Sequence, residues 1–201
     1  MNKRIEELLK LITKDKELIS LCEQSARQAR HLNVSGLCEQ EKGYLVTSIA
    51  GHFSKKPVIV VSDPIRARYF ASILSAFVED DIVIYQPGEV SLVSALASSK
   101  DLETERVGAL ARIVNNDFGA VIICSGALLN KLPDKKTFKK RIIDIKLGQQ
   151  LDPSKLAKEL ATLGYERVGL VEAKGEFSWR GDVLDLFGPD MNQPLRISFF
   201  D

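Results

Sequence analysis

Apolar positions in the first two thirds of the chain alternate between short continuous runs and longer stretches with helical spacing. The runs at 57–62, 81–85 and 120–124 are rich in Val and Ile, which predicts strands buried on both faces. Helical spacing over 64–78 and 101–114 predicts a helix after each of the first two strands. Strands that alternate with helices in this order indicate a parallel sheet covered by helices.

The residues before and after the first run predict further elements. Helical spacing covers 5–29 and 38–52, and 32–34 is a candidate short strand. Asp63-Pro64 follows the first run directly, which favours a helix start because an aspartate can cap free backbone N–H groups and proline suits the first helical turn.

The last third of the chain has a different pattern. A short strand is predicted over 142–146, and a helix is predicted from Asp152-Pro153 to about Gly164. Turn-forming residues then separate three candidate strands, at 165–172, 176–187 and 195–200. Gly181 interrupts the middle candidate, where we expect a bulge. This pattern predicts a small α+β module.

Charge marks the boundary between the two patterns. Five of the eight residues from 134 to 141 are basic and one is acidic, and this run follows Pro133. We therefore expect an α/β domain over 1–133, a solvated basic linker over 134–141 and a small α+β domain over 142–201. Contact between the linker and nucleic acid is the alternative interpretation.

Composition is that of an ordinary globular protein, with 201 residues, 45% hydrophobic content and a formal net charge of +1. Cys22, Cys38 and Cys124 are far apart and match no metal-binding spacing, so we expect reduced thiols, no disulfide and no metal. No stretch reaches the roughly 18 apolar residues of a membrane span. We expect a cytoplasmic protein without membrane contact.

A nucleotide-binding loop is only partly present. A P-loop has the pattern G-x-x-x-x-G-K-[ST], in which the glycines admit phosphate and the hydroxyl holds magnesium. The nearest segment begins at Gly36 and has Glu41 before Lys42 and Gly43 after it. A carboxylate at this position would repel phosphate, so we expect a degenerate site, no cofactor and no catalytic residue.

The predicted last strand alternates with period two. Leu195, Ile197 and Phe199 would face a core, which leaves Arg196 and Phe200 on the outer face. Arginine next to an aromatic residue is a common energetic anchor of protein interfaces.

The middle candidate strand adds a second arginine. If its alternation continues through Gly181, Arg180 shares the outer face with Ser178, Asp182 and Leu184. Two like charges on one small sheet face favour a partner or an acidic neighbour. The alternative is that Arg180 pairs with Asp182 or Glu176, and that Phe200 packs under a neighbouring segment.

Two segments resemble a known family. GEFSWRGDVLDLF at 175–187 and PLRISFFD at 194–201 resemble the segment shared by the excision-repair protein UvrB and the N-terminal region of the bacterial transcription-repair coupling factors, the Mfd family. The resemblance covers about 32–201. UvrB keeps an intact Walker motif that the coupling factors have lost, so the degenerate loop at Gly36 is similar to that of the coupling factors.

The resemblance implies a first domain with the fold of UvrB domain 1a and a second domain that binds UvrA. It assigns the UvrA contacts by position to Arg180, Arg196 and Phe200. Supporting contacts are expected from Glu176, Phe177 and Trp179, with packing favoured for Phe177.

The resemblance further implies a fragment that is not itself catalytic and that recruits nucleotide excision repair to stalled RNA polymerase after DNA damage. Contacts with RNA polymerase and DNA, and the ATP and magnesium of a DNA translocase, would belong to other domains of the full-length protein. The alternative is a truncated UvrB-like or other α/β NTPase. DNA binding through 135–141 also stays open.

Overall fold

The computed structural model describes residues 16–28, 31–88 and 100–199. Their contacts divide them into two compact units. The N-terminal unit contains the described residues of Met1–Pro87 and Asp117–Asn130, and the C-terminal unit contains those of Gly88–Asn116 and Lys131–Asp201. Residues 100–115, which the sequence analysis assigned to the first domain, therefore make their contacts in the C-terminal unit. The predicted domain boundaries stay a prediction.

The N-terminal unit is built on a three-stranded parallel sheet of order β1-β3-β2, as the sequence predicts. Val58 pairs with Val121 at one side of β3, and Ile82 pairs with Ala120 at the other. Its elements are α1 (Lys16–Gln28), α2 (Glu39–His52), β1 (Val58–Val61), α3 (Pro64–Leu74), β2 (Ile82–Tyr85), β3 (Ala120–Cys124) and a 3-10 helix (Ser125–Leu129).

The core of this unit lies between α3 and the sheet. Phe70 and Leu74 on α3 pack against Ile122 and Cys124 on β3, and all four are nearly or fully buried. The predicted helix start is confirmed, because the Asp63 carboxylate accepts a hydrogen bond from the backbone N–H of Arg66 at 2.9 Å.

Two predictions for the N-terminal unit are wrong. Val58 and Val60 are 62% and 55% exposed, because only the other face of β1, with Ile59 and Val61, packs on the core. Residues 32–34 form no strand, since none of the strands that the structure describes pairs with them. The part of the predicted N-terminal helix at 5–15 lies outside the described residues.

The C-terminal unit is built on a four-stranded sheet of order β4-β5-β6-β7. β4 is parallel to β5, and the other two pairings are antiparallel. Its elements are α4 (Lys100–Asn115), α5 (Lys135–Lys139), α6 (Pro153–Thr162), β4 (Glu166–Arg167), β5 (Glu176–Arg180), β6 (Val183–Phe187) and β7 (Leu195–Ser198).

One face of this sheet packs on α6. Leu156 and Leu160 of α6 meet Phe177, Leu184 and Leu186 of the sheet in a core cluster. The predicted start of α6 is confirmed, because the capping carboxylate of residue 152 accepts hydrogen bonds from two backbone N–H groups, at 2.8 and 3.3 Å. The opposite face of the sheet carries the alternate residues and is called the outer face below.

The predicted strand over 142–146 is wrong. Ile143 and Ile145 pack against the α6 core, but none of the strands in the described ranges lies beside the segment, so it forms no ladder with them. Alternating apolar residues can anchor a loop on a core as well as they can mark a strand. In the expected linker, Asp134 caps the short helix α5 by accepting hydrogen bonds from the N–H groups of Lys136 and Thr137, both at 3.0 Å.

The predicted middle strand over 176–187 is two strands. β5 and β6 are joined by the two-residue turn Gly181-Asp182, where Gly181 has φ of +55°, so the expected bulge is a hairpin turn. The turn reverses the chain, so Leu184 faces the core, whereas Val183 lies on the outer face opposite Arg180. The predicted outer-face position of Leu184 is therefore wrong.

Candidate protein-docking site

Both predicted arginines lie on the outer face of the C-terminal sheet. Arg180 ends β5 and pairs with Val183 of β6. Arg196 lies on β7 and pairs with Asp185 of β6. Because β6 lies between β5 and β7, its Asp185 carboxylate stands between the strands that carry the two arginines.

Arg196 and Asp185 form a bidentate ion pair. The Nε of Arg196 donates to Oδ1 of Asp185 at 2.6 Å, and its Nη2 donates to Oδ2 at 2.8 Å. The hydrogen bond from Arg196, with the charges of Arg196 and Arg180 adding to it, lowers the pKa of Asp185. The same hydrogen bond raises the pKa of Arg196. The Arg196 side chain is nevertheless 71% exposed, so a partner can still reach it.

Arg180 is also exposed, but in the described part of the chain it forms no ion pair like that between Arg196 and Asp185. Among the residues that the structure describes, neither Asp182 nor Glu176 forms a salt bridge with it, in contrast to the alternative weighed from the sequence. Glu176 instead accepts hydrogen bonds at 2.8 Å from two backbone N–H groups of the preceding turn, those of Glu172 and Ala173. The acidic neighbour on the outer face is Asp185.

Phe200, the third predicted contact, lies outside the described residues. The residue before it, Phe199, packs on the α6 core, and its N–H donates to the carbonyl of Asp182 at 2.8 Å. The core-facing position predicted for Phe199 is therefore confirmed. The outer-face position of Phe200 stays a prediction.

The expected supporting residues differ in position. Phe177 is 1% exposed in the core, which confirms packing. Trp179 lies on the same face as Phe177, and its ring is 5.5 Å from the Arg167 guanidinium carbon. The Trp179 Nε1–H donates to the carbonyl of Gly181 at 2.8 Å and so supports the hairpin turn. These contacts hold the sheet together behind the outer face.

The sequence reasoning missed Asp185. Residues 176–187 were predicted to be one strand. The residues after the turn, including Asp185, were therefore assigned to the wrong face of the sheet. The signal was present, since Gly-Asp between two apolar runs is typical of a two-residue hairpin turn.

The segment of the degenerate loop forms the start of α2. The Glu41 carboxylate accepts a hydrogen bond from the backbone N–H of Cys38 at 2.8 Å. The Glu39 carboxylate accepts hydrogen bonds from the side chains of Lys42, at 2.7 Å, and Arg66, at 3.1 Å. The hydrogen bond from Lys42 is the main cause of the lowered pKa of Glu39. Carboxylates therefore occupy the helix N-terminus, where a phosphate would bind.

A groove of about 1050 Å³ lies beside this helix start, in the N-terminal unit. Its walls are chiefly apolar, and Glu39, Lys42 and Arg66 contribute the charged groups. In the described part of the chain, no group of three or more His, Cys, Asp or Glu side chains is placed to hold a metal ion. None of the described helices is long and apolar enough to cross a membrane.

The strands that form the outer face lie within a segment that matches the model of a protein family. Residues 143–201 match the family model described as the UvrB interaction domain. The match includes α6, the four strands and both arginines. The C-terminal unit, with its four-stranded sheet, is therefore similar to the UvrB interaction domain over this segment.

Comparison with whole proteins extends the likeness to most of the chain. The chain is 27% identical to the transcription-repair-coupling factor of Bacillus subtilis (strain 168) over 169 residues, which are 84% of this chain and 14% of that protein. It is 29% identical to the Myxococcus xanthus transcription-repair-coupling factor over 182 residues, 87% of this chain and 15% of that protein. The resemblance to the transcription-repair coupling factors is confirmed, and the chain spans about one seventh of the length of these relatives.

Proposed function

We propose that this chain is the UvrB-like N-terminal region of a transcription-repair coupling factor, and that it is a non-catalytic module that binds UvrA. Binding would bring nucleotide excision repair to stalled RNA polymerase. The observation that supports this function best is the exposed pair of arginines, Arg180 and Arg196, on the outer face of a sheet within the UvrB interaction domain match.

Recognition would be electrostatic and apolar together. Guanidinium groups form strong, directional hydrogen bonds with carboxylates, so the two arginines favour an acidic surface on UvrA. Phe200 would fill an apolar notch beside them. The sheet positions Arg180 and Arg196 on neighbouring rows of one face, so a single partner surface can engage both.

The N-terminal unit would have the fold of UvrB domain 1a with a degenerate nucleotide site. Its parallel sheet and the carboxylates at the start of α2 support this assignment. ATP, magnesium, RNA polymerase and DNA would be bound by other parts of the full-length protein, in keeping with the length of the relatives. The compartment would be the cytoplasm.

The direct test is a calorimetric titration of the chain with purified UvrA. We expect wild-type binding with a Kd of about a micromolar or tighter, and a loss of roughly 30-fold or more in Arg196→Ala and Arg180→Glu. Arg141→Ala removes the same charge from an exposed position off the outer face and should leave binding unchanged. Circular dichroism should show all variants folded.

Two outcomes would count against the proposal. A folded wild type that does not bind UvrA would remove the assignment. Equal affinity in both outer-face variants would move the contact elsewhere. The groove beside α2 supplies the observation behind the rival NTPase function, and protection of the chain by ATP against thermal unfolding would favour that rival.

A further inference from the structure

The ion pair between Arg196 and Asp185 uses only part of the guanidinium group. A guanidinium has five N–H donors, and the pair occupies Nε–H and one N–H of Nη2. Both N–H groups of Nη1 and the second one of Nη2 stay available. One N–H of Nη1 and the second N–H of Nη2 form the end of the side chain, which is the edge that can hold a second carboxylate through two parallel hydrogen bonds.

Asp185 is well placed to hold the side chain still. It lies on the central strand β6, whose backbone pairs with β5 on one side and β7 on the other. The cross-strand neighbour on β5, Ser178, is buried and donates its hydroxyl to the carbonyl of Gly169. The Asp185 side chain is 27% exposed and accepts two hydrogen bonds from Arg196.

We propose that Asp185 is a positioning residue of the docking surface, which fixes Arg196 so that the end of its guanidinium group meets an acidic group of the partner. This inference rests on the proposed UvrA-binding function. An arginine side chain has large rotamer freedom, and ordering it opposes association. A side chain already ordered by Asp185 loses less of that freedom when the partner binds.

The opposite role is masking, in which Asp185 neutralises Arg196 and must be displaced. The two roles predict opposite changes in the affinity for UvrA when the Asp185 charge is removed. Replacing Asp185 with Asn removes one negative charge from a face that meets an acidic partner, so electrostatics alone and masking both predict tighter binding. Positioning predicts weaker binding, because the amide presents a single oxygen and no longer fixes both Arg196 donors.

Arg180 provides the contrast within the same face. It has no bidentate anchor in the described part of the chain, so its guanidinium geometry is not preset. Arg180→Lys keeps the charge and should keep part of the affinity. Arg196→Lys removes the planar guanidinium group that could bind Asp185 and a second carboxylate at the same time, so it should lose nearly as much affinity as Arg196→Ala.

The experiment is a double-mutant cycle with purified UvrA, using wild type, Asp185→Asn, Arg196→Ala and the double variant. We expect Asp185→Asn to weaken binding on the order of tenfold in the wild-type background and to have no weakening effect in the Arg196→Ala background. The loss should appear in the dissociation rate, whereas a change in long-range charge would appear in the association rate. Urea unfolding checks that Asp185→Asn stays folded.

The outcomes separate the inference from the function on which it rests. If the wild type binds UvrA and Asp185→Asn binds equally well or more tightly, the positioning role is overturned and the docking function stands. If Asp185→Asn weakens binding equally in both backgrounds, Asp185 acts independently of Arg196 and the positioning role is again overturned. If the folded wild type does not bind, both proposals fail together.

Discussion

Gly108 in the middle of α4 offers the sharpest test of packing in the C-terminal unit. A Cβ atom at this position would lie 2.7 Å from the carbonyl carbon of Pro189 and closer still to its carbonyl oxygen. These atoms are backbone, in the loop between β6 and β7. The Pro189 oxygen also accepts a hydrogen bond from the Lys174 Nζ at 3.1 Å, so the loop cannot retreat without losing a contact.

The size of the effect follows from two opposing terms. Replacing glycine with alanine inside a helix normally stabilises by about 1 kcal/mol, because the backbone loses less entropy on folding. Relieving the clash requires the helix and the loop to separate by about 1 Å, and overpacking of this kind costs about 1 to 3 kcal/mol. Taking the upper part of that range, we expect Gly108→Ala to lower the free energy of unfolding by about 2 kcal/mol.

Trp179 makes the measurement specific. It is the only tryptophan in the chain and lies in the C-terminal unit, so its fluorescence during urea unfolding reports on that unit. Gly169→Ala is the matched control in the same unit, because nothing lies within 4 Å of the added Cβ. The control should stay within about 0.5 kcal/mol of wild type or gain slightly. A Gly108→Ala variant that is more stable than wild type would contradict the expected clash between the added Cβ and Pro189.

Two further predictions concern the same sheet. Leu184 is fully buried against α6, so Leu184→Ala should lower the free energy of unfolding by about 2 to 5 kcal/mol. The control Leu147→Ala, at a fully exposed loop position, should change the free energy of unfolding by less than about 0.5 kcal/mol. Equal losses of stability in urea unfolding would contradict the assigned core. The second prediction concerns pH. Because Arg196 lowers the pKa of Asp185, this carboxylate stabilises the fold above the unfolded pKa of about 4, and that stabilisation is lost as pH falls through the lower folded value. The stability difference between wild type and Asp185→Asn in urea should therefore be larger near pH 7 than near pH 2, and a difference that does not change with pH would show that the ion pair contributes nothing.

Local features of this fold could be predicted from the sequence where the cause is itself local. Asp63 and Asp152 cap the helices that follow them, because a carboxylate and its target N–H groups lie within three residues of one another. The parallel sheet follows from three β-branched runs separated by helices. The period of two at the end of the chain placed Arg196 on the outer face correctly.

The predictions from the sequence are wrong where the local structure depends on segments that are distant in sequence. The runs at 57–62 and 142–146 have apolar patterns typical of strands, but a pattern does not say whether a second strand lies alongside or whether both faces are covered. In the described part of the fold, one face of β1 is exposed and the segment 142–146 pairs with no strand.

The docking face shows the same division between local and tertiary causes. The amino-acid sequence by itself determined that two arginines would stand in a strand-rich segment similar to the UvrB interaction domain, since residue types and alternation are local properties. Only the tertiary structure placed Asp185 between them, because the turn at Gly181-Asp182 reverses the chain and the pairing of β6 with β7 sets which residues face each other. Strand register is decided by packing between segments that are distant in sequence, so the partner of Arg196 becomes visible only when the sheet is assembled.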